Sequence, residues 1–289
     1  MNQKINKKED WIYEYHQGVR YGLEGKLILE EFSPFQKITI YESKRYGRAL
    51  LLDDCWMTAE KHEKSYHECL IHPALCSSKT LDKILIIGGG DGGSARECLK
   101  YKEVKSLDLI EIDEKVVELS KRYLPIIGGN AWSDARLRLE IKNGIDWVKN
   151  TKTNFYDVII IDGADPVGPS EKLYSNSFLK ECKRILKPGG VFATQSESPE
   201  SFKNIHINII KQLREIFDYA DPIYGSVSIY PSGLWSWTFA SMEKPIYKYP
   251  SKIRVKEISE NCQVWSKRWQ EGAFNTIPVS IERELEKND

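Results

Sequence analysis

The stretch Ile86-Ile87-Gly88-Gly89-Gly90-Asp91-Gly92-Gly93 sets an acidic side chain inside a glycine-rich nucleotide loop. Gly88, Gly90 and Gly93 keep the G-x-G-x-x-G spacing between an apolar run, KILII, and a helical pattern, SARECLKY. Glu111 closes the next apolar run, SLDLIEID, at the distance expected of a ribose-binding acid. Dinucleotide enzymes and sulfonium-nucleoside enzymes share this spacing, so it does not decide between them. Asp91 tilts the choice. A pyrophosphate on the loop would meet a carboxylate at close range and be repelled, whereas sulfonium and ammonium charges would be attracted. The plainer alternative is an ordinary strand–turn–helix joint with an acid turned to solvent.

Other apolar runs end in groups of similar kind. RLEIK leads to Asn143-Gly144, and DVIII leads to Asp162-Gly163-Ala164-Asp165-Pro166. In an open α/β sheet the carboxyl ends of the strands form the ligand crevice, so Asp91, Glu111, Asn143 and Asp162 should converge there. Glu111 has the bidentate reach for a ribose diol, and Asn143 can hydrogen-bond an adenine edge. Asp162 and Asp165 precede PVGPSEKLYSNSF, a segment suited to a lid. Two aspartates can also serve as a turn and helix cap. Three acids on neighbouring strand ends, however, make a cation pocket that a fold would not need.

Residues 11–60 alternate as strands do, with Tyr21–Phe32, Gln36–Glu42 and Arg48–Leu52 separated by SPF, SKRYG and DDC turns. A helix-like run, EKHEKSYHECLIHPALC, follows. From about residue 82, strands (KILII, SLDLIEI, RLEIK, DVIIID, GVFATQ) alternate with helices such as EKVVELSKRYL and SNSFLKECKRILK. Lys187-Pro188-Gly189-Gly190 is expected to stop one helix and turn into the next strand. The pattern predicts a doubly wound parallel sheet preceded by a small antiparallel β-domain. The expected division is residues 1–61 for the β-domain and 62–289 for the catalytic domain. A Trp-containing helical tail, QVWSKRWQEGAF, should pack back on the core.

Composition fits this frame. The 289 residues are 41% hydrophobic and 29% charged, a globular balance with room for a sizeable core. Lys plus Arg equals Asp plus Glu at 42 each, which offers nothing to nucleic acid or an anionic membrane. No run approaches the roughly 18 apolar residues of a membrane span, and MNQKINKKEDW lacks a signal-peptide core. Cysteines 55, 69, 76, 98, 182 and 262 form no CxxC and read as reduced, mostly buried cytosolic thiols. His67 and His72 stand five apart, off helical register for a shared metal, and no metal site is expected.

GGGDGG at 88–93, EID at 111–113, DGADPVGPSEKLY at 162–174 and YPSG at 230–233 together resemble the spermidine synthase family of aminopropyltransferases. SYHE at 65–68, preceded by TAEKHE, is similar too, and the likeness runs in order from about residue 10 to 240. The resemblance implies an α/β fold with a Rossmann-like, class I methyltransferase-type sheet. It implies transfer of the aminopropyl group of decarboxylated S-adenosylmethionine, a co-substrate, to putrescine, with no cofactor. Asp162 matches the family's catalytic base. Asp165 matches an acid that holds the diamine, Tyr66 and Tyr230 line its channel, and His67 matches a polyamine-contacting position. Asp91 matches the residue that grips the aminopropyl ammonium. Gln36, Gly88, Gly90, Glu111, Asn143, Gly144 and Pro169 match positions around the nucleoside, and Gln195 stands behind the site. The resemblance further implies a cytoplasmic homodimer or tetramer. Packing alone is the plainer alternative for His67 and Tyr230.

Four positions depart from the family pattern. Asn143 replaces an acid, His62 replaces an Asp, and Ser228-Ile229 replaces Pro-Thr. They touch nucleoside affinity and the channel wall and leave the catalytic acids intact. The acidic pocket should reject S-adenosylmethionine, whose extra carboxylate would meet Asp91 and Asp162. Competing readings are an aminopropyltransferase preferring cadaverine, agmatine or spermidine, an amine N-methyltransferase on the same fold, a dehydrogenase, and a non-catalytic polyamine sensor.

Overall fold

The computed structural model describes residues 10–16, 18–164, 168–246 and 250–287, with only the backbone at 10, 168 and 169. Its first five strands, β1 (Asp10–His16), β2 (Val19–Phe32), β3 (Lys37–Ser43), β4 (Gly47–Leu52) and β5 (Cys55–Ala59), form one antiparallel meander in chain order. Short turns join alternating strands, which is what local antiparallel pairing requires. Glu14 on the first edge strand accepts from the Trp56 N–H on the last, at 3.0 Å, so the two edges approach one another.

The second sheet contains β6 (Lys83–Gly88), β7 (Ser106–Glu111), β8 (Leu137–Ile141), β9 (Tyr156–Asp162), β10 (Leu186–Gln195), β11 (Tyr219–Ser226) and β12 (Leu234–Ser241). Its order is β11-β12-β10-β9-β6-β7-β8. The five strands from β10 to β8 pair in parallel. The expected doubly wound core is therefore present, but β12 and β11 close one side antiparallel, making the sheet mixed. Strand order reverses between β6 and β9, and that switch point opens a crevice at their carboxyl ends.

Apolar residues on both parities explain why these strands read as continuous hydrophobic runs. One face (Ile84, Ile86, Leu107, Val158, Ile160) packs on α1 (Lys64–Ser77) and α2 (Gly93–Leu99). The opposite face (Leu85, Ile87, Ile159, Ile161) packs on α6 (Asn176–Ile185) and α7 (Lys203–Ile216). Beyond β7 lie α3 (Glu114–Tyr123) and α4 (Pro125–Gly128), which join Ile38, Ile40 and Leu50 of the first sheet in a further cluster. Helix α5 (Gly144–Asn150) follows β8.

The Lys187–Gly190 segment behaves differently from expectation. Helix α6 stops at Ile185, and Leu186 already opens β10. The four residues form an irregularity inside that strand, where its register on β9 shifts between Leu186 and Val191. Gly189 takes φ +75°, and at Gly190 a Cβ would stand 2.7 Å from the Asp157 carbonyl oxygen. The glycines thus serve a bulge rather than a helix cap.

Every residue of α1 from Tyr66 to Ser77 is buried. Burial on all sides makes the helix a rigid spine for the groups at its start. The tail fastens to it: α8 (Lys252–Ser259) and α9 (Lys267–Ala273) flank a turn whose Gln263, Val264 and Trp265 N–H groups donate to the fully buried Glu68 carboxylate at 2.8–3.1 Å. Helix α10 (Val279–Glu286) ends the described chain and packs on α7. Glu68, the acid of SYHE, is thereby a structural anchor. Glu68→Gln turns part of this acceptor into a donor facing backbone donors, and should cost about 2–4 kcal/mol. A urea titration followed by tryptophan fluorescence checks it, since Trp265 sits in the anchored turn.

Candidate active site

The crevice is built on glycine geometry. Gly88 (φ +83°) pairs with Asp162 across β6 and β9, and a Cβ on Gly88 would stand 2.2 Å from the Asp162 carbonyl oxygen. Gly89 donates its N–H to that same oxygen at 2.9 Å. Only a chain without a Cβ can lie this close, so the loop and the β9 acid are locked together. Asp91 then turns inward, its Oδ1 accepting the Gly93 N–H at 2.8 Å.

Asp162 has a partner on each carboxylate oxygen. Tyr66 donates to Oδ1 at 2.8 Å and the Ser94 hydroxyl donates to Oδ2 at 2.6 Å. Burial and then the nearby Asp91 push its carboxyl above the ordinary aspartate value, against the opposing pull of His67 and the two hydrogen bonds. Burial and Asp162 together hold the Tyr66 hydroxyl far above its usual range, keeping it a donor.

His67 sits between carboxylates. Its Nδ1 lies 2.6 Å from Glu63 Oε2 and its Nε2 3.3 Å from Asp91 Oδ2. Arg96 on α2 holds Glu63 at 2.8 Å. Burial disfavours the imidazolium, but Asp91 and Glu63 outweigh it and raise the histidine well above its ordinary value. Burial likewise opposes ionisation of Asp91, yet His67 and the Gly93 N–H bring it below the usual range. Gly93 permits this placement, because a Cβ there would stand 2.3 Å from the ring. Atoms of His67, Asp91 and Asp162 all lie within 4.8 Å of one another, a spacing that surrounds one small cation.

On the β7–β8 side, Glu111 is buried beneath the loop, its Oε1 accepting the Ile112 and Asp113 N–H groups at 2.7 and 2.9 Å. Burial raises its carboxyl to about 7, with those N–H bonds working against the rise. One oxygen is thus already engaged by backbone, which narrows the expected bidentate reach. Gln36 reaches across from the first sheet and donates to Asp113 at 2.9 Å. Asn143 caps α5, its Oδ1 accepting from Ile145 at 2.8 Å and Asp146 at 3.4 Å. Its carbonyl therefore serves the helix first, as well as facing the crevice. Gly144 lets α5 close on Ile87, whose side chain a Cβ would meet at 2.5 Å.

One cavity of about 510 Å³ joins Gln36, Tyr66, His67, Gly88, Gly90, Asp91, Glu111, Asn143, Gly144, Asp162 and Tyr230. A small neighbouring cavity of about 30 Å³ shares Tyr66 and Tyr230 with it and extends the lining to Gln195 and Trp235. Tyr230 packs edge-on against Tyr66 and Trp235, with centroids 5.8 and 4.5 Å apart, and donates to the Met57 carbonyl. Gln195 lies behind, donating to the Tyr174 hydroxyl at 2.8 Å. Asp165 lies outside the described residues, and the Pro169 side chain does too. A larger open cleft of about 1230 Å³ lies behind the site, but it holds none of the strand-end acids. Chemistry, not size, singles out the smaller cavity.

His62, another departure, has φ +76° on the surface, stacked edge-on against Tyr46 at 5.7 Å and outside the crevice. Ser228 offers its carbonyl to the Tyr46 hydroxyl at 3.0 Å, a channel-wall contact through backbone alone. Three site residues escaped the sequence reading. Glu14 is buried and lines both the cavity and its extension. Its signal was a carboxylate sharing a strand face with Ile12. Glu63 had the i,i+4 spacing to His67 as a signal, whereas Ser94 had none beyond following the loop.

Residues 63–249 match the family model described as the spermine/spermidine synthase domain, and residues 10–60 match the spermidine synthase tetramerisation domain. Among curated relatives, a polyamine aminopropyltransferase of Prochlorococcus marinus strain NATL1A is 81% identical over 99% of this chain and 100% of its own. That of strain NATL2A is 78% identical over the same shares. Solved structures agree: a spermidine synthase in complex with the transition state analogue AdoDATO superposes with a TM-score of 0.92 at 31% identity, covering 99% of this chain and 98% of that one. The spermidine synthase from Thermotoga maritima gives 0.91 at 31% identity, over 99% and 97%. The acid-lined crevice at the switch point thus lies in a chain that belongs to the spermine/spermidine synthase family and is an aminopropyltransferase.

Proposed function

We propose that the chain is a spermidine synthase, moving the aminopropyl group of decarboxylated S-adenosylmethionine to putrescine with Asp162 as general base. The observation that carries this reading is the carboxylate of Asp162 in the larger cavity, oriented by Ser94 and by Tyr66, which lines both that cavity and its narrow extension. The nucleoside fits the side bearing Gln36, Glu111, Asn143 and Gly144, and Asp91 takes the aminopropyl ammonium. The diamine enters the extension between Tyr66 and Tyr230, with Asp165 as a further acid for it. Pro169, by its match to the family pattern, is a further nucleoside contact in this reading.

Proton accounting supports the base. An alkylamine has a reference pKa of about 10.4, so freeing its lone pair at pH 7 costs roughly 4–5 kcal/mol. A neighbouring sulfonium lowers that cost, and burial makes Asp162 a readier acceptor than an exposed aspartate. The freed amine attacks the methylene carbon in line with the departing sulfur, at about 3–3.5 Å. The carbon–sulfur bond breaks, its electron pair stays on sulfur as methylthioadenosine, and the proton rests on Asp162. Sulfonium is itself a good leaving group, so the reading calls for no cofactor or metal.

Self-association is part of the same proposal. The first sheet, which matches the tetramerisation model, exposes Trp11, Tyr15, Val19, Leu27 and Phe32. These exposed apolar side chains, spread over both sides of the β1–β2 ribbon, fit a dimer or tetramer interface. A cytoplasmic location accords with six free cysteines. Among the described residues, no helix is long and apolar enough to cross a membrane.

Methylthioadenosine release from the decarboxylated donor, with putrescine, cadaverine, agmatine and spermidine offered separately, tests the acceptor. Putrescine should be fastest, and faster turnover with another amine would reassign it. Asp162→Asn should lower kcat by about 10²–10⁴-fold while donor binding persists. A silent substitution would remove Asp162 from the proton path. Nucleoside affinity should also follow Glu111. Ribose hydroxyls donate to the ionised carboxylate, and a carboxyl at about 7 becomes increasingly protonated as pH falls. The Kd of methylthioadenosine should therefore weaken about tenfold from pH 8 to pH 6. Calorimetric titration at the two pH values checks this, and Glu111→Gln should flatten the dependence.

A further inference from the structure

His67 lies beside Asp91 and Asp162, where the proposed function puts the ligand's ammonium. Its ring is 2% exposed, with one carboxylate on each nitrogen: Glu63 at Nδ1 and Asp91 at Nε2. Facing it are Glu63 and Tyr66 from its own helix, Asp91 from the glycine loop, Arg96 from α2 and Asp162 from the end of β9. Two flanking acceptors hold the ring doubly protonated in the absence of another cation. A primary ammonium has three N–H bonds, and His67, Asp91 and Asp162 offer three atoms within 4.8 Å of one another. While Nε2 keeps its proton, however, only two of these atoms can accept, and imidazolium and ammonium repel at contact.

We propose that the terminal ammonium of the co-substrate binds in exchange for the Nε2 proton of His67, with Glu63 and Arg96 as positioning residues that keep the other proton on Nδ1. The inference rests on the aminopropyl reading above. The Nε2–H bond breaks and its proton passes to solvent base, leaving the bonding pair on nitrogen. That pair accepts one N–H of the ammonium, while Asp91 and Asp162 accept the other two. No covalent bond to the ligand forms, and the ammonium's charge takes the place of the proton's, so the charge on this cluster is unchanged. Glu63 fixes which nitrogen is emptied. Its Oε2 is gripped by Arg96 at 2.8 Å, and Arg96 is itself held by Glu97 at 2.8 Å. Burial opposes ionisation of Glu63, but His67 and Arg96 outweigh it and hold the carboxyl below its ordinary value, so it remains an acceptor. The imidazole is thereby left with its free pair aimed into the cavity. A ligand without an ammonium has nothing to put in the proton's place, so its binding leaves the imidazolium intact.

Calorimetric titration of the intact protein in two buffers of different ionisation enthalpy counts the protons released. At about pH 8, where Glu111 is already ionised, decarboxylated S-adenosylmethionine should release about one proton and methylthioadenosine, which lacks the ammonium, about none. His67→Gln keeps an acceptor for the ligand but has no proton to give, so the donor should still bind and the release vanish. Glu63→Gln should reduce the release, because His67 then keeps its second proton less firmly. Equal release with both ligands, or a release that survives His67→Gln, would overturn the proposal. Donor binding with no release overturns it alone, whereas no donor binding overturns the aminopropyl reading along with it.

Discussion

Burying several carboxylates around one crevice is the constraint on which the rest of this structure depends. Two like charges about 4 Å apart repel by about 4 kcal/mol at an effective dielectric of 20, and Glu63, Asp91, Glu97, Glu111 and Asp162 crowd the same region. Each is compensated locally. Glu63 and Glu97 share Arg96, and Glu97 also faces His72 and Lys100. Asp91 has His67 and a backbone N–H, Asp162 has two hydroxyls, and Glu111 has backbone N–H groups. Only Asp162 and Glu111 remain raised toward the neutral form. These are the two whose proposed work is accepting a proton and gripping a diol.

The scaffold's task is to hold those groups still. Helix α1 is enclosed by the sheet, α2 and the tail, so Tyr66 and His67 enter the site from a fixed spine. Glu68, one residue further, points the other way and ties down the Gln263–Trp265 turn. A single helical turn therefore carries both site residues and the anchor of the C-terminal segment. The close glycine contact between β6 and β9 does the same for the backbone of the glycine loop and of Asp162, fixing how the two segments lie against each other.

Much of this was legible in the sequence, for identifiable reasons. Strand ends in a parallel sheet must converge, so acids closing apolar runs declared the crevice before any coordinate was known. The glycine loop showed where the backbone has to approach closely. Other features depended on tertiary pairing. The antiparallel β11–β12 edge looks locally like any strand pair, and nothing in Lys187–Gly190 distinguishes a bulge from a helix stop until β9 fixes the register. Glu14 escaped because one buried carboxylate in an aromatic-rich strand resembles a solvated face. Glu63 reads as an ordinary surface acid until Arg96 and His67 close around it. Asn143 lines the cavity, but its duty as the cap of α5 follows only from where that helix begins.

The central claim is that this acid cluster selects a ligand bearing positive charge and no carboxylate. The most direct test is to compare the Kd of decarboxylated S-adenosylmethionine with that of S-adenosylmethionine itself by calorimetry at one pH and salt concentration. The account predicts that the decarboxylated form binds at least about 100-fold more tightly, roughly 3 kcal/mol, because the extra carboxylate would meet Asp91 and Asp162. Equal affinities would contradict it, leaving the acids without a role in choosing the donor.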